Sequence, residues 1–187
     1  MEPCEIDGYS NNNVIQISDG SVSDTSAGYD NNFGPLLAAN IRGQNIQVMV
    51  LDDGLDPNHG DLRPNLNSDY ILNFSREQSI SGHHGTACAG LIAAAGGNYN
   101  CIVGGAPLAK LGGWLSRNKT HSISVVKMIG YPTTASQEAE ALMSFLTRGI
   151  HVYSNSWGPA DDGYSTGGPP LMSIQAIKKG VTAVSHD

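Results

Sequence analysis

The sequence predicts an α/β fold, a parallel sheet flanked by helices. Three observations predict it. Ile46–Leu51 (IQVMVL) is short, β-branched and almost uniformly apolar, the pattern of a strand buried on both faces. Apolar segments of strand character then alternate with segments of helical character, as they do in βαβ units. With 187 residues, 40% of them hydrophobic, the chain is long enough for one domain with a substantial core.

Each element has its own signal. Residues 1 to 34 are rich in Asn, Ser, Asp and Gly without periodicity and read as an irregular lead-in, so the domain is expected over 35–187. After the first strand, Asp56 to Gly82 reads as a polar loop. Thr86–Ala95 (TACAGLIAAA) reads as a buried helix of small residues closed by Gly96-Gly97. Pro107 to Leu115 and Ile123 to Ile129 are strand candidates. Thr134 and Gln137 are spaced as a capping box, and Ala135, Ala139, Leu142, Met143 and Leu146 follow at helical spacing, with Gly149 as the stop. Ile150 to Ser154 is another strand. A helix from about Pro170 to Lys179 ends at Gly180, with its lysines near the carbonyl end, and Val181–Val184 starts a last strand.

Composition narrows the function. A formal net charge of −7 argues against a nucleic-acid partner and suits cationic ligands, whether calcium or a basic peptide. No run approaches the ~18 apolar residues of a membrane span, and Met1-Glu2-Pro3-Cys4-Glu5 lacks signal-peptide character, so any membrane link is expected only through other segments. Three cysteines, Cys4, Cys88 and Cys101, cannot all pair within the chain. Asn73-Phe74-Ser75 and Asn118-Lys119-Thr120 are glycosylation triplets that matter only if the chain is secreted.

Two motifs carry chemistry. VLDDGLDPNHGDL (50–62) ends the first strand in adjacent acids, Asp52 and Asp53. Polar groups at that end of a parallel strand face the ligand crevice, so the pair is either a site or a turn whose Asp residues bond nearby backbone. HHGTACAG (83–90) places an imidazole at a helix mouth, where the partial positive charge disfavours the protonated ring. A histidine that must take up a proton there needs a carboxylate to stabilise the cation and fix the tautomer, as in a Ser-His-Asp triad. Asp52-Asp53 can supply it.

With HGTACAGLIAAAGGNYNCIVGGAP (84–107), YSNSWGPADDG (153–163) and the Gly-Pro before the helix at 168–179, these stretches resemble the catalytic domain of subtilisin-like serine proteases, most of all the kexin/furin branch. The resemblance spans most of residues 41–180 and implies a three-layer sandwich. It implies Asp52 as the triad carboxylate and His84 as the general base. Asp53 falls in the pocket for a basic residue at the second position before the cut; Ser156, Trp157 and Gly158 line the first pocket, and Asp161 lies near its base. A structural Ca2+ is implied, held by Asp61 and Asn98 side chains and the backbone oxygens of Ala95, Asn100 and Ile102; oxygen donors suit calcium. From the residues alone Asp61 is equally a surface acid and Asn98 a helix-ending turn. The implied activity is cutting of precursor proteins or peptides after paired basic residues in the secretory pathway, Golgi or outside the cell.

Departures from the family pattern temper this. The nucleophile segment and the oxyanion asparagine fall after residue 187, so the domain is expected to be C-terminally incomplete and inactive alone, since loss of the nucleophile removes nearly all triad chemistry. Cys101 would have its partner there too. Cys88 resembles a free thiol beneath the active site, or is a small buried helix residue. Residues 114 to 125 are an insertion, from a gene-model error or a surface loop. Glu138 or Glu140 matches an acid for a more distant basic residue, and Gly167 replaces another. A rival reading makes Asp52 and Asp53 the magnesium ligands of a receiver-like regulatory domain, but it leaves HGTACAG and SWGPADDG unexplained. A metal site on His59, His83 and His84 has loose spacing.

Overall fold

The computed structural model describes residues 34–72, 82–98, 102–114, 133–144, 146, 149–160 and 162–184. The elements in chain order are helix α1 (Gly34–Ala38), strand β1 (Gln47–Leu51), a 3-10 turn (Arg63–Asn65), β2 (Leu66–Leu72), α2 (His83–Ala93), β3 (Lys110–Trp114), α3 (Ala135–Met143), β4 (Val152–Asn155) and α4 (Leu171–Val184). The lead-in before Gly34, the expected strand 123–129, the insertion beyond Trp114, both glycosylation triplets, Cys4 and Cys101 lie outside the described residues.

The four strands form one parallel sheet in the order β2-β3-β1-β4. β1 is therefore interior, and its side chains alternate between two cores. Val48 and Val50 pack with Leu55, Leu62, Ala89, Ala93, Ala109 and Leu111 on one face. Met49 and Leu51 pack with Ala141 and Ile150 on the other, joined by Leu142, Tyr153 and Trp157. Burial on both faces is why the run reads as apolar without alternation. The small residues of α2 let it lie close on the sheet: Ala89 and Ala93 have no solvent contact.

Helix ends follow local chemistry. Thr134 and Gln137 form the expected capping box, each side chain bonded to the other's backbone N–H at 3.3 and 3.0 Å. The last carbonyls of α2 are not left to Gly96-Gly97. Gly105 and Ala106 donate to Leu91 and Ile92 at 3.0 and 2.8 Å, so the helix stops at Ala93. At its other end α2 begins at His83, one turn earlier than Thr86.

Two expectations are overturned. The polar loop 56–82 contains strand β2, which among the described residues pairs with β3 on one side only and so tolerates Asn67 and Asp69. Its entry is fixed by Asn65, 3% exposed. The Asn65 amide donates to Ala93 O at 3.0 Å and Pro107 O at 2.8 Å, and its Oδ1 accepts from Lys110 Nζ at 3.2 Å. Val181–Val184 is not a strand. α4 runs through Gly180, whose face lies against the Leu146 side chain, and Thr182 Oγ1 bonds back to Lys178 O at 2.7 Å. Packing of α3 on α4 outweighs the β propensity of that run.

Replacing Asn65 with Ala leaves two buried carbonyls unpaired. The expected loss is roughly 1–3 kcal/mol in a denaturant titration, whereas the exposed Asp69→Ala stays within about 0.5 kcal/mol.

Candidate active site

β1 delivers Asp52 to the carboxyl end of the sheet with no solvent exposure. A carboxylate so placed must find donors. Its Oδ1 accepts from the backbone N–H of Asp53 at 2.7 Å and contacts His84 Nδ1 at 2.7 Å. Its Oδ2 has no hydrogen-bond partner among the described residues. The His84 side chain is 54% exposed, so the ring bridges a buried anion and solvent.

Asp53 explains the early start of α2. The N-cap, Gly82, offers no side chain, and Asp53 supplies the cap from across the site. Its two oxygens accept from His84 N at 3.3 Å and Gly85 N at 2.7 Å. A carboxylate at a helix amino terminus also meets the helix dipole. The approach needs bare backbone: a Cβ at Gly85 would collide with Gly54 O, and one at Gly82 with Gly54 N and Asp53 Oδ1. Thr86 adds a further tie, its Oγ1 accepting from Asp56 N at 2.8 Å.

β4 pairs with β1 so that Asn155 lies beside Leu51, which brings Ser156 and Trp157 to the level of Asp52. The Trp157 indole donates to Leu51 O at 2.8 Å and is half-buried on the second core, while Ser156 and Gly158 are exposed. Tyr153, behind them, donates its hydroxyl to Ser144 O, and burial pushes its phenol up to about 12. Asp161 lies outside the described residues. Its neighbour Asp162 is held at about 2 by the Ser165 backbone N–H and hydroxyl and the Tyr164 N–H.

The other expected positions divide. Asp61 is buried, and Asn98 Nδ2 approaches its Oδ1 at 2.7 Å; Ala95 N donates to Asp61 O at 2.8 Å. Ile102 is 36% exposed, and Asn100 lies outside the described residues. Glu138 is half-buried in the first turn of α3, and Glu140 and Gly167 are exposed. His59 sits by Asp61, its Nδ1 accepting from Asp61 N at 3.3 Å. The described residues that could share a metal are Asp52, His84 and Cys88, not His59 or His83. Asp52 and Asp53 do not form a joint cation site either, since each carboxylate serves a different part of α2. The receiver-like reading therefore has no support. Sequence reasoning missed the capping duty of Asp53; the signal was the glycine on either side of His83-His84.

A family model, Peptidase_S8 or the subtilase family, matches residues 43–185. The chain belongs to the subtilase family. Its similarity runs to the proprotein convertases: it is 37% identical over 148 residues to proprotein convertase subtilisin/kexin type 6 of Homo sapiens, covering 74% of this chain and 14% of that protein. It is 38% identical over 162 residues to the PC3-like endoprotease variant B of Hydra vulgaris, covering 82% and 21%. The chain thus spans about a fifth or less of these relatives' length. Among solved structures, fervidolysin from Fervidobacterium pennivorans, a keratinolytic enzyme related to subtilisin, matches with TM-score 0.55 at 24% identity over 79% of this chain and 21% of that one. The Aeromonas sobria serine protease in complex with its chaperone matches at 0.54, with 21% identity, over 79% and 24%. At such identities the two structures establish the fold.

The His84 ring titrates above its ordinary 6.5, chiefly through the Asp52 hydrogen bond and further through the charges of Asp52 and Asp53, against the opposing effect of burial. A raised base stabilises the fold fully below pH 6.5, and that contribution is lost as pH rises through the folded-state value. Asp52→Asn is expected to lower the titration of His84 followed by NMR, and the stability lost on this substitution to be greater below pH 6.5 than well above the folded-state value.

Proposed function

We propose that this chain is the Asp- and His-bearing part of a kexin/furin-type serine endopeptidase that cuts precursor proteins after paired basic residues. The observation that carries the reading is the 2.7 Å contact between a buried strand-end carboxylate and His84 Nδ1 in a subtilase frame. In that role His84 Nδ1–H donates to Asp52, which leaves Nε2 as the base toward a serine hydroxyl from another part of the full peptidase domain. As the ring takes up the hydroxyl proton, Asp52 stabilises the imidazolium. The upward shift of His84 is the equilibrium trace of that stabilisation.

Specificity in this reading comes from acids beside the dyad. Asp53 contributes negative charge toward a basic side chain while its oxygens hold α2, and Ser156, Trp157, Gly158 and Asp161 form the first pocket. The chain's net charge of −7 favours encounter with a basic-motif peptide. By the resemblance such a protein works in the secretory pathway; among the described residues no helix is long and apolar enough to cross a membrane.

A calcium ion belongs to the same proposal. Asp61 supplies a buried carboxylate whose Oδ1 accepts from Asn98 Nδ2 at 2.7 Å, and turning the Asn98 amide over would present its oxygen to an ion there. Asp61 and Asn98 would hold the ion with oxygens from Ala95, Asn100 and Ile102, and bound calcium would supply structural tethering of the loop after α2. At about a hundred times its Kd, calcium is expected to stabilise the fold by ~2.7 kcal/mol, read as a rise in Tm that EDTA reverses and Asp61→Ala abolishes. No calcium-dependent shift would contradict the assignment.

The catalytic reading is tested in the natural full-length product with a fluorogenic peptide ending in paired basic residues. Asp52→Asn is expected to lower kcat about ten-thousandfold, the fall that the same change produces in a serine protease triad. Cleavage that survives the substitution undiminished would end the proposal.

A further inference from the structure

The loop after β4 carries a nucleophile that peptide hydrolysis does not use. Tyr164 is 92% exposed, and residues 162–170 around it belong to no helix or strand. A Cβ added at Gly163 or Gly168 would meet nothing within 4 Å, so the chain stands clear of the surface on both sides of Tyr164. Tyr153, on β4, is the contrast: it is half-buried, and its hydroxyl donates to Ser144 O.

The surroundings of Tyr164 are anionic. Asp161 and Asp162 precede it, and residues 149–177 contain no Lys or Arg. Asp162 is fixed beside it. Its Oδ1 accepts from the backbone N–H of Tyr164 at 2.8 Å and of Ser165 at 2.6 Å, and its Oδ2 accepts from the Ser165 hydroxyl at 2.7 Å. These donors hold the carboxyl at about 2, so it stays charged in mildly acidic solution. An enzyme that transfers a group from an anionic nucleotide has a cationic cleft, and an exposed phenol flanked by fixed carboxylates complements that cleft.

We propose that Tyr164 is a site of O-sulfation, modified by a tyrosine sulfotransferase that uses a nucleotide phosphosulfate as donor. The phenolic oxygen attacks the sulfur, and the new O–S bond forms as the bond from sulfur to the bridging phosphate oxygen breaks. The nucleotide leaves as a phosphate that keeps the bridging oxygen, and the phenolic proton passes to a base of the transferase. No oxidation state changes. The choice of sulfate over phosphate rests on the secretory reading above; the exposure of the phenol and the charge around it do not. The ester is anionic at physiological pH and adds charge three residues before Gly167, where the family pattern carries an acid.

The chain is incubated with a purified tyrosine sulfotransferase and the phosphosulfate donor, and the modified residue is read by tandem mass spectrometry. Trypsin releases Tyr153 and Tyr164 in one peptide, residues 149–178, so one is the control for the other. The expected result is sulfate on Tyr164 and none on Tyr153. Tyr164→Phe removes the sulfate from this peptide, and Asp162→Asn lowers kcat/KM for the transfer at least about threefold. The order Asp-Gly-Tyr-Ser recurs at residues 7–10, so sulfate is assigned residue by residue. No transfer to Tyr164, transfer to Tyr153 in its place, or an unchanged rate in Asp162→Asn would each overturn the site. The natural full-length product, made in secreting cells fed radioactive sulfate, is expected to carry the label in the same peptide in a form that alkaline phosphatase leaves intact. Phosphate in its place, or transfer in vitro with no label in cells, would overturn the modification through the secretory reading alone. Neither readout uses peptide cleavage, so failure of the proteolytic reading leaves both outcomes unaffected.

Discussion

A carboxylate without solvent contact ends the central strand, and the groups around it are arranged to meet its need for donors. Asp52 obtains one from the next backbone N–H and one from His84 Nδ1. Holding His84 at that distance requires α2 to start against the strand end, and Asp53 does this by capping the helix while Gly82 and Gly85 clear the path. Trp157 fastens the end of β4 to the same place through Leu51 O. A burial constraint at one residue thus fixes the relation between a strand, a helix and the segment beyond β4.

The same arrangement sets the electrostatics. The Asp52 contact works against the helix dipole and against burial of the ring, and the balance leaves His84 more basic than a free imidazole. A half-exposed base with one nitrogen committed to a buried acid is prepared to accept a proton at the other. That preparation suits the general-base role proposed for the pair.

Much of this was legible in the sequence because it rests on local pattern. The uniform apolar run of β1 signals burial on both faces, the Thr134/Gln137 spacing signals a cap, and acids at a strand end with a histidine at a helix mouth signal a pair. What escaped depends on partners distant in sequence. β2 gains strand geometry from β3, more than 30 residues on, through the buried amide of Asn65, and nothing in LNSDYIL announces it. The β-branched run after Gly180 is helical because α3 packs on α4. The capping duty of Asp53 escaped because a helix cap is sought immediately before the helix, and this one comes from another loop.

The central claim is that His84 Nδ1 holds a proton shared with buried Asp52. The most direct measurement is the ring-proton NMR spectrum of nitrogen-15-labelled protein. The account predicts a far-downfield Nδ1–H resonance for His84 that persists against solvent exchange and disappears in Asp52→Asn. A His84 ring with its proton on Nε2 and no downfield signal at any pH would contradict it.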